Sequence, residues 1–313
     1  MNQDPIFNAV LNECNQAYVF RQNLINDIQA ITKRKLIVYL ASPTHPFAML
    51  TKDDIPIFEE LLRTISDSGG VDLMINSQGG DPNTAEKILM MCRQRFKEFN
   101  VAVVNYAKSA ATMIAIGSDK IYMGYLAELG PIDPQIQIVR PDGKVETIPA
   151  GAFIYGLENI RKRIVEEHDP PEMYLPMLGQ IRPEIVTICS NALEETKSFA
   201  AKWLKDYMMK QNPQWAEPVA EMLTKGEKYK SHGKVINFTE AKKVLKLNVE
   251  LIDNKSELWG KLWELYIRGN QFLQITNQAK LFENENVSIA MQVGVSQFPR
   301  QLPKAGRAPP SQR

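Results

Sequence analysis

The chain has 313 residues, with 37 Lys and Arg against 36 Asp and Glu, and a formal net charge of +1. This balance argues against a protein that coats nucleic acid, because neutralising many phosphates requires a clear excess of basic side chains. With 44% hydrophobic residues the chain can bury a large core, and no apolar run approaches the roughly 18 residues that span a bilayer.

The cysteines and the first residues indicate the compartment. Cys14, Cys92 and Cys189 are odd in number and widely spaced, which predicts reduced thiols and neither disulfides nor a metal site. The start of the sequence has no basic cluster followed by an apolar stretch, so we see no secretory signal. We therefore expect a cytoplasmic globular protein with no membrane span.

Helices and strands alternate in the first part of the chain. Apolar residues at helical spacing predict an amphipathic N-terminal helix over 6–31. Predicted strands follow at 36–40, 71–75, 101–106 and 120–123. Between them, helices are predicted at 51–66, with Thr51 as N-cap, at 83–97 and at 110–117. Apolar strands alternating with helices predict an α/β fold whose mostly parallel sheet is covered on both faces.

The second part is mostly helical. Pro141-Asp142-Gly143 predicts the turn of a β-hairpin within 136–149, and a last βα unit is predicted over 235–252. The predicted organisation is an N-terminal helical segment (1–34), a main domain (35–255) with a helical insertion at about 153–225, a C-terminal helical segment (256–298) and a disordered tail (299–313).

Two segments place unusual residues at strand ends. The first, Asn76-Ser77-Gln78-Gly79-Gly80-Asp81, follows a strand and precedes a helix. Adjacent glycines let backbone N–H groups point into open space at a helix N-terminus, where they can hold an oxyanion. The alternative is a tight turn without a ligand. The spacing is not GxGxxG, so a dinucleotide site is unsupported.

The second segment is Ala107-Lys108-Ser109-Ala110-Ala111-Thr112, after the next strand. It presents the Ser109 hydroxyl at the carboxyl edge of the sheet; the alternative is an ordinary N-cap serine. Ser109 lies outside a G-x-S-x-G pattern. Because neighbouring parallel strands end at the same edge, the two segments together predict a nucleophilic serine facing an oxyanion hole, built from the amides of Gly79 or Gly80 and of Ala110.

These motifs resemble those of a known group of enzymes. N-S-x-G-G followed about 30 residues later by A-x-S-A-A is similar to the Clp-type and signal-peptide-peptidase-A-type serine peptidases, which share the crotonase-like ββα spiral fold. The resemblance is tighter to the serine dehydrogenase proteinase family, through A-K-S-A-x-T, E-L-G-P-I-D-P-Q (Glu128 to Gln135) and Y-x-S-H-G (Tyr229 to Gly233). It covers roughly residues 35–255. Gln78 stands where proline is usual.

The resemblance implies an intracellular serine endopeptidase that acts on protein or peptide substrates, needs no metal or other cofactor, and forms a homo-oligomer. The sequence does not define a specificity pocket. It also does not show whether a separate ATPase or activator delivers substrates to the enzyme. A G-x-x-x-x-G-K-[ST] pattern is absent, so the chain itself is not predicted to unfold substrates.

A serine hydroxyl needs a base within hydrogen-bond reach, and the chain has three histidines. His45 precedes both motifs, and His168 lies at a predicted helix end. In Clp-type peptidases the histidine falls where this chain has Asp133, and the acid falls beside His232. We therefore predict a triad of Ser109, His232 and Asp133 with the acid and histidine positions exchanged; chain order varies among triads.

The alternative is a Ser–Lys dyad, as in signal-peptide-peptidase-A-like enzymes. Lys108, next to the serine, is the first candidate, although adjacent side chains on an extended strand point to opposite faces. Lys144 and Lys162 are weaker candidates, because a turn lysine and a lysine in a basic run are usually solvated.

Two other classes of function stay open. The crotonase-like fold also includes acyl-CoA hydratases and isomerases, in which the glycine amides polarise a thioester and glutamates act near the reacting carbon. A catalytically silent oligomeric scaffold is the third possibility. The basic residues of the tail lack interleaved aromatics, so we predict no nucleic-acid partner.

Overall fold

The computed structural model describes residues 17–66, 69–139, 143–224, 229 and 231–292. The predicted tail at 299–313 and Cys14 lie outside these residues.

The first part of the chain forms the predicted alternation. Its helices and strands are α1 (Ala17–Thr32), β1 (Lys35–Ala41), α2 (Asp54–Thr64), β2 (Gly70–Ser77), α3 (Pro82–Arg95), β3 (Glu98–Ala107), α4 (Ala110–Ile116), β4 (Lys120–Met123) and β5 (Glu128–Leu129). Every residue of β2 is buried, as is typical of a strand covered on both faces.

The second part adds a hairpin, a helical insertion and the end of the sheet. Its helices and strands are β6 (Gln135–Val139), β7 (Val145–Pro149), α5 (Ala150–Val165), α6 (Leu175–Leu178), α7 (Pro183–Trp203), α8 (Ala216–Thr224), β8 (Ile236–Asn237), α9 (Phe238–Lys243), β9 (Val249–Leu251), α10 (Glu257–Thr276), β10 (Lys280–Glu283) and β11 (Ser288–Met291). Short 3₁₀ turns and one π-helical turn (Leu204–Met208) join the helices of the insertion.

The central sheet has the order β11-β10-β1-β2-β3-β4-β9. Strands β1, β2, β3, β4 and β9 are parallel, whereas β10 pairs antiparallel with β1 and with β11. Helices cover both faces: one buried cluster includes side chains of α2, α3, α4 and α7, and the other includes side chains of α1 and α10. The predicted α/β class with a mostly parallel sheet is confirmed.

Two details differ from the predictions. The hairpin of β10 and β11 was not predicted, and it lies in the segment that was interpreted as helical. The N-cap of α2 is Asp53 and not Thr51, and the Asp53 side chain makes no capping hydrogen bond. Instead, the Asp54 carboxylate accepts a hydrogen bond from the Thr51 amide at 2.9 Å. Among the described helices, none is long and apolar enough to cross a bilayer.

Candidate active site

Ser109 lies in a strained turn between β3 and α4. Its backbone has φ 49° and ψ −121°, a conformation that costs a non-glycine residue free energy. The side chain occupies the N-cap position of α4 but makes no capping hydrogen bond, so the ordinary N-cap interpretation of Ser109 does not hold. A sharp strand-to-helix turn of this kind exposes the serine nucleophile of α/β-hydrolases, and it arises here without the G-x-S-x-G pattern.

The glycine loop between β2 and α3 packs directly on this turn. Gly79 has φ +98°, and a Cβ atom built on it would lie 2.6 Å from the Lys108 carbonyl oxygen and 2.9 Å from the Ala110 amide nitrogen. The Lys108 amide donates to the Ser77 carbonyl at 2.9 Å. The loop and the serine turn therefore pack against each other, and only glycine fits at position 79. Gln78, at the family's proline position, is exposed.

The backbone amides of the loop differ in their hydrogen bonds. The Gly79 amide donates to Ser77 Oγ at 3.0 Å, so it is already engaged. Leu50 donates to the Gly79 carbonyl at 2.8 Å and accepts from the Asp81 amide at 2.9 Å. Leu50 and Gly80 thus form a bridge of the parallel type, in which Leu50 bonds to the two neighbours of Gly80. In such a bridge the amide of Gly80 itself points to the opposite side, away from Leu50. Within the described part of the chain, neither the Gly80 nor the Ala110 amide donates a hydrogen bond, so these two amides can receive an oxyanion.

Asp133 and His232 are in direct contact. His232 Nδ1 lies 2.8 Å from Asp133 Oδ1, with Asp133 buried and the His232 side chain 32% exposed. Gln135 Nε2 donates to the other carboxylate oxygen at 2.8 Å. Gln135 Nε2 also lies 3.2 Å from His232 Nδ1. Because a carboxylate only accepts, the 2.8 Å contact assigns a proton to Nδ1, and in the neutral imidazole Nε2 is then the acceptor.

Strand pairing brings these residues to the serine turn. The short strand β5 continues the parallel pairing at the end of β3 and pairs antiparallel with β8. Asp133 follows β5, and His232 precedes β8. Among the described residues, no hydrogen bond joins Ser109 to His232; such bonds often tighten only with a substrate in place. The Asp–His contact is formed and the Ser–His contact is not.

Lys108 is a buried cross-link. Its Nζ lies 2.9 Å from Glu128 Oε1, and it donates to the carbonyl oxygens of Leu129 at 3.1 Å and Lys234 at 3.4 Å. These three acceptors match the three donor positions of a lysine side chain, so Lys108 joins the end of β3 to β5 and to the His232 loop. Lys144 and Lys162 are exposed on β6–β7 and α5.

Four supporting residues were not predicted individually, although the motifs contain them. Thr112 Oγ1 donates to the Ala107 carbonyl at 2.6 Å and accepts from the Gly130 amide at 3.1 Å, which ties α4 to the chain after β5. Gln135 orients Asp133, and Glu128 pairs with Lys108. Buried Tyr229 opens the Y-x-S-H-G motif, and burial together with the Glu240 carboxylate raises the pKa of its phenol.

Residues 17–150 match the family of ClpP-like SDH-type serine proteinases. The resemblance found in the motifs is therefore confirmed over this part of the chain, and the match supports a serine peptidase, a hydrolase, at the level of the family. The matched residues include Ser109 and Asp133 and end before His232.

Comparisons with individual proteins are more distant. Two uncharacterized proteins of Methanocaldococcus jannaschii are 24% identical over 249 residues (79% of this chain, 73% of the relative) and 26% identical over 239 residues (76% and 72%). A mutant of the 1510-N membrane-bound stomatin-specific protease covers 72% of this chain and 84% of its own, at 16% identity and a TM-score of 0.42. The ClpP protease catalytic domain from Plasmodium falciparum covers 74% and 92%, at 13% identity and a TM-score of 0.34.

Proposed function

We propose that the protein is a serine endopeptidase that cleaves protein or peptide substrates through an acyl-enzyme on Ser109. The observation that carries this proposal is the Asp133–His232 contact of 2.8 Å at the strand ends beside the serine turn. A buried carboxylate that orients a partly exposed imidazole is the arrangement that a serine nucleophile requires.

The chemistry follows from these groups. Ser109 Oγ attacks the scissile carbonyl carbon while His232 Nε2 takes the hydroxyl proton. The tetrahedral oxyanion receives hydrogen bonds from the Gly80 and Ala110 amides. The C–N bond then breaks, the leaving amine takes the proton from His232, and the acyl group stays on Ser109. Water, deprotonated by His232, hydrolyses the ester and restores the serine. These steps use no metal or other cofactor.

Labelling with a fluorophosphonate probe tests this proposal. The folded wild-type protein should be labelled, and Ser109→Ala should abolish the label because the nucleophile is gone. His232→Ala should slow labelling strongly, whereas His168→Ala is the matched control and should label at the wild-type rate. A label that persists in Ser109→Ala would place the nucleophile elsewhere and reject the proposal.

Two structural observations and an assay of peptide hydrolysis separate the other classes of function. A hydratase or isomerase would need a free glutamate at the site, whereas Glu128 is paired with Lys108. A silent scaffold would leave the Ser109 hydroxyl as a cap, and that hydroxyl caps nothing. Peptide hydrolysis that persists in Ser109→Ala would contradict the peptidase mechanism directly.

We also propose that the protein forms a homo-oligomer through its helical insertion. Helix α5 buries only its first two residues, and no residue of α6 is buried. The insertion exposes large apolar side chains, namely Tyr155, Val165, Met173, Leu175, Met177 and Ile188, each at least 50% exposed. Light scattering on Leu175→Glu/Met177→Glu should show a smaller particle than wild type; an unchanged mass would reject this interface.

A further inference from the structure

Two buried ion pairs join strand β10 to other parts of the chain. One of them, between Lys280 and Asp54, connects through hydrogen bonds to the candidate site. Lys280 Nζ lies 2.7 and 2.9 Å from the two carboxylate oxygens of Asp54, and both side chains are almost fully buried. Burial raises the pKa of the Asp54 carboxyl even though Lys280 acts in the opposite direction. A buried ion pair adds little net stability, because desolvation offsets the attraction. Its presence therefore calls for another role.

Asp54 connects the ion pair to the segment before α2. Its Oδ2 accepts the Thr51 amide at 2.9 Å, and Lys280 Nζ also lies 3.4 Å from Thr51 Oγ1. The neighbouring residue, Leu50, is buried. The ion pair thus fixes the backbone of the irregular segment ahead of α2.

Leu50 in turn is hydrogen-bonded to the glycine loop through its backbone. It bonds the Gly79 carbonyl and the Asp81 amide on either side of Gly80. Gly80 has φ +150°, and a Cβ atom there would collide with the Leu50 backbone. The direction of the Gly80 amide, which faces away from Leu50, therefore depends on where Leu50 lies.

We propose that the Lys280–Asp54 ion pair is a positioning device for the oxyanion hole: it fixes Leu50 and Thr51, and through them the Gly80 amide. This inference rests on the proposed peptidase function. Lys280 and Asp54 touch neither substrate nor reacting atoms, so they are positioning residues that act through the Thr51 amide and then through the two backbone hydrogen bonds of Leu50.

The second buried pair supplies a matched control. Arg21 on α1 forms a bidentate pair with Glu283, on the same strand as Lys280, at 2.8 to 3.0 Å. Its two side chains are 2% and 0% exposed. Neither partner contacts Leu50, Thr51 or the glycine loop in the described part of the chain. Removing it should disturb the sheet edge without moving the Gly80 amide.

The experiment compares paired replacements. Lys280→Met/Asp54→Leu and Arg21→Met/Glu283→Leu each remove both charges, so that neither leaves an uncompensated buried ion. With a chromogenic peptide substrate, we expect kcat of the first variant to be about ten- to a hundredfold lower than that of wild type, with nearly the same KM. Complete loss of one oxyanion donor lowers kcat by about 10²- to 10³-fold, and a displaced donor should lose part of that. Its affinity for a peptide aldehyde, whose tetrahedral adduct carries an oxyanion, should fall by the same factor. The control variant should change each value less than threefold.

Hydrogen exchange provides a readout that is independent of activity. The Asp81 amide, which bonds the Leu50 carbonyl, should exchange at least tenfold faster in Lys280→Met/Asp54→Leu and at the wild-type rate in the control. Equal exchange and equal kcat in the two variants would overturn the positioning role. A wild-type protein that neither hydrolyses peptides nor labels at Ser109 would instead refute the proposed function, and the exchange data would still decide whether the ion pair orders the loop.

Discussion

His232 Nδ1 lies 2.8 Å from Asp133 Oδ1, although the two residues are 99 positions apart in the chain. The contact exists because β5 pairs with both the end of β3 and β8, so the chain after β5 and the chain before β8 meet. The order serine, aspartate, histidine along the chain is the one found in α/β-hydrolases, reached here on a different sheet.

Asp133→Asn tests the role of this contact. The amide keeps the size of the side chain but no longer favours Nδ1–H on His232, so the wrong tautomer faces the serine. We expect kcat for peptide hydrolysis to fall by about 10⁴ with little change in fold. The measurement is kcat alongside far-UV circular dichroism. Wild-type kcat in Asp133→Asn would remove Asp133 from the mechanism.

Glu128→Gln distinguishes the triad from a Ser–Lys dyad. Glu128→Gln replaces the carboxylate that lies 2.9 Å from Lys108 Nζ by a neutral amide. If Lys108 were the base, the pH–rate profile would depend on that carboxylate and would shift. We expect the profile to keep its position, because Lys108 has a structural role, and we expect a lower melting temperature. A shift of the profile by a full pH unit would support the dyad.

Gly79→Ala should disrupt the junction between the glycine loop and the serine turn. The new methyl group would overlap the Lys108 carbonyl and the Ala110 amide, and the positive φ adds strain. We expect loss of probe labelling and a destabilisation of several kcal/mol, of the size that strain and overpacking cause.

Gly156→Ala is the matched control for that substitution. Gly156 lies in α5, with nothing within 4 Å of a Cβ atom. Alanine should stabilise this helix by about 1 kcal/mol and leave labelling intact. If Gly79→Ala and Gly156→Ala affected labelling to the same extent, this would contradict the close contact between Gly79 and the serine turn.

The strain at Ser109 predicts a trade between stability and activity. Glycine tolerates φ 49° and ψ −121°, whereas alanine does not. We expect the free energy of unfolding to be roughly 1 kcal/mol higher for Ser109→Gly than for Ser109→Ala. Glycine relieves the backbone strain of the folded state, and this gain exceeds the loss that comes from the larger conformational entropy of glycine in the unfolded chain. Both variants should be inactive. Urea unfolding measures the difference, and a less stable glycine variant would contradict the strain.

Alkaline pH should reveal the burial of Cys92. Burial raises the pKa of this thiol to about 12, so between the ordinary thiol pKa and that value the unfolded chain releases a proton that the folded chain retains. Stability therefore falls as pH rises through this window, with a slope of up to about 1.4 kcal/mol per pH unit from this group. Urea unfolding from pH 8 to 11 should show a shallower decline for Cys92→Ala than for wild type. Parallel declines would contradict this effect.

The sequence predicted the parallel core well because its strands are continuous apolar runs. It did not predict β10, because Lys280 and Glu283 interrupt the apolar pattern. Their charges are matched by Asp54 and Arg21, more than two hundred positions earlier, and such pairing is invisible to local periodicity.

The sequence likewise predicted some features of the candidate site and not others. The glycines and Ser109 were predicted from their place at strand ends, and the Asp133–His232 pair from the family resemblance. The strained backbone of Ser109 and the engagement of the Gly79 amide by Ser77 depend on atomic contacts between neighbouring turns, which residue types alone do not specify.

The late position of β10 has a consequence for synthesis of the protein. Ser109 leaves the ribosome long before Lys280, so a growing chain contains the proposed nucleophile but lacks the residue that, in our proposal, completes the support of Leu50. A partly made chain would therefore be a poor hydrolase. Coupling β10 to the reactive centre would delay proteolysis until the chain has been made as far as Lys280, and would thereby spare other nascent chains nearby.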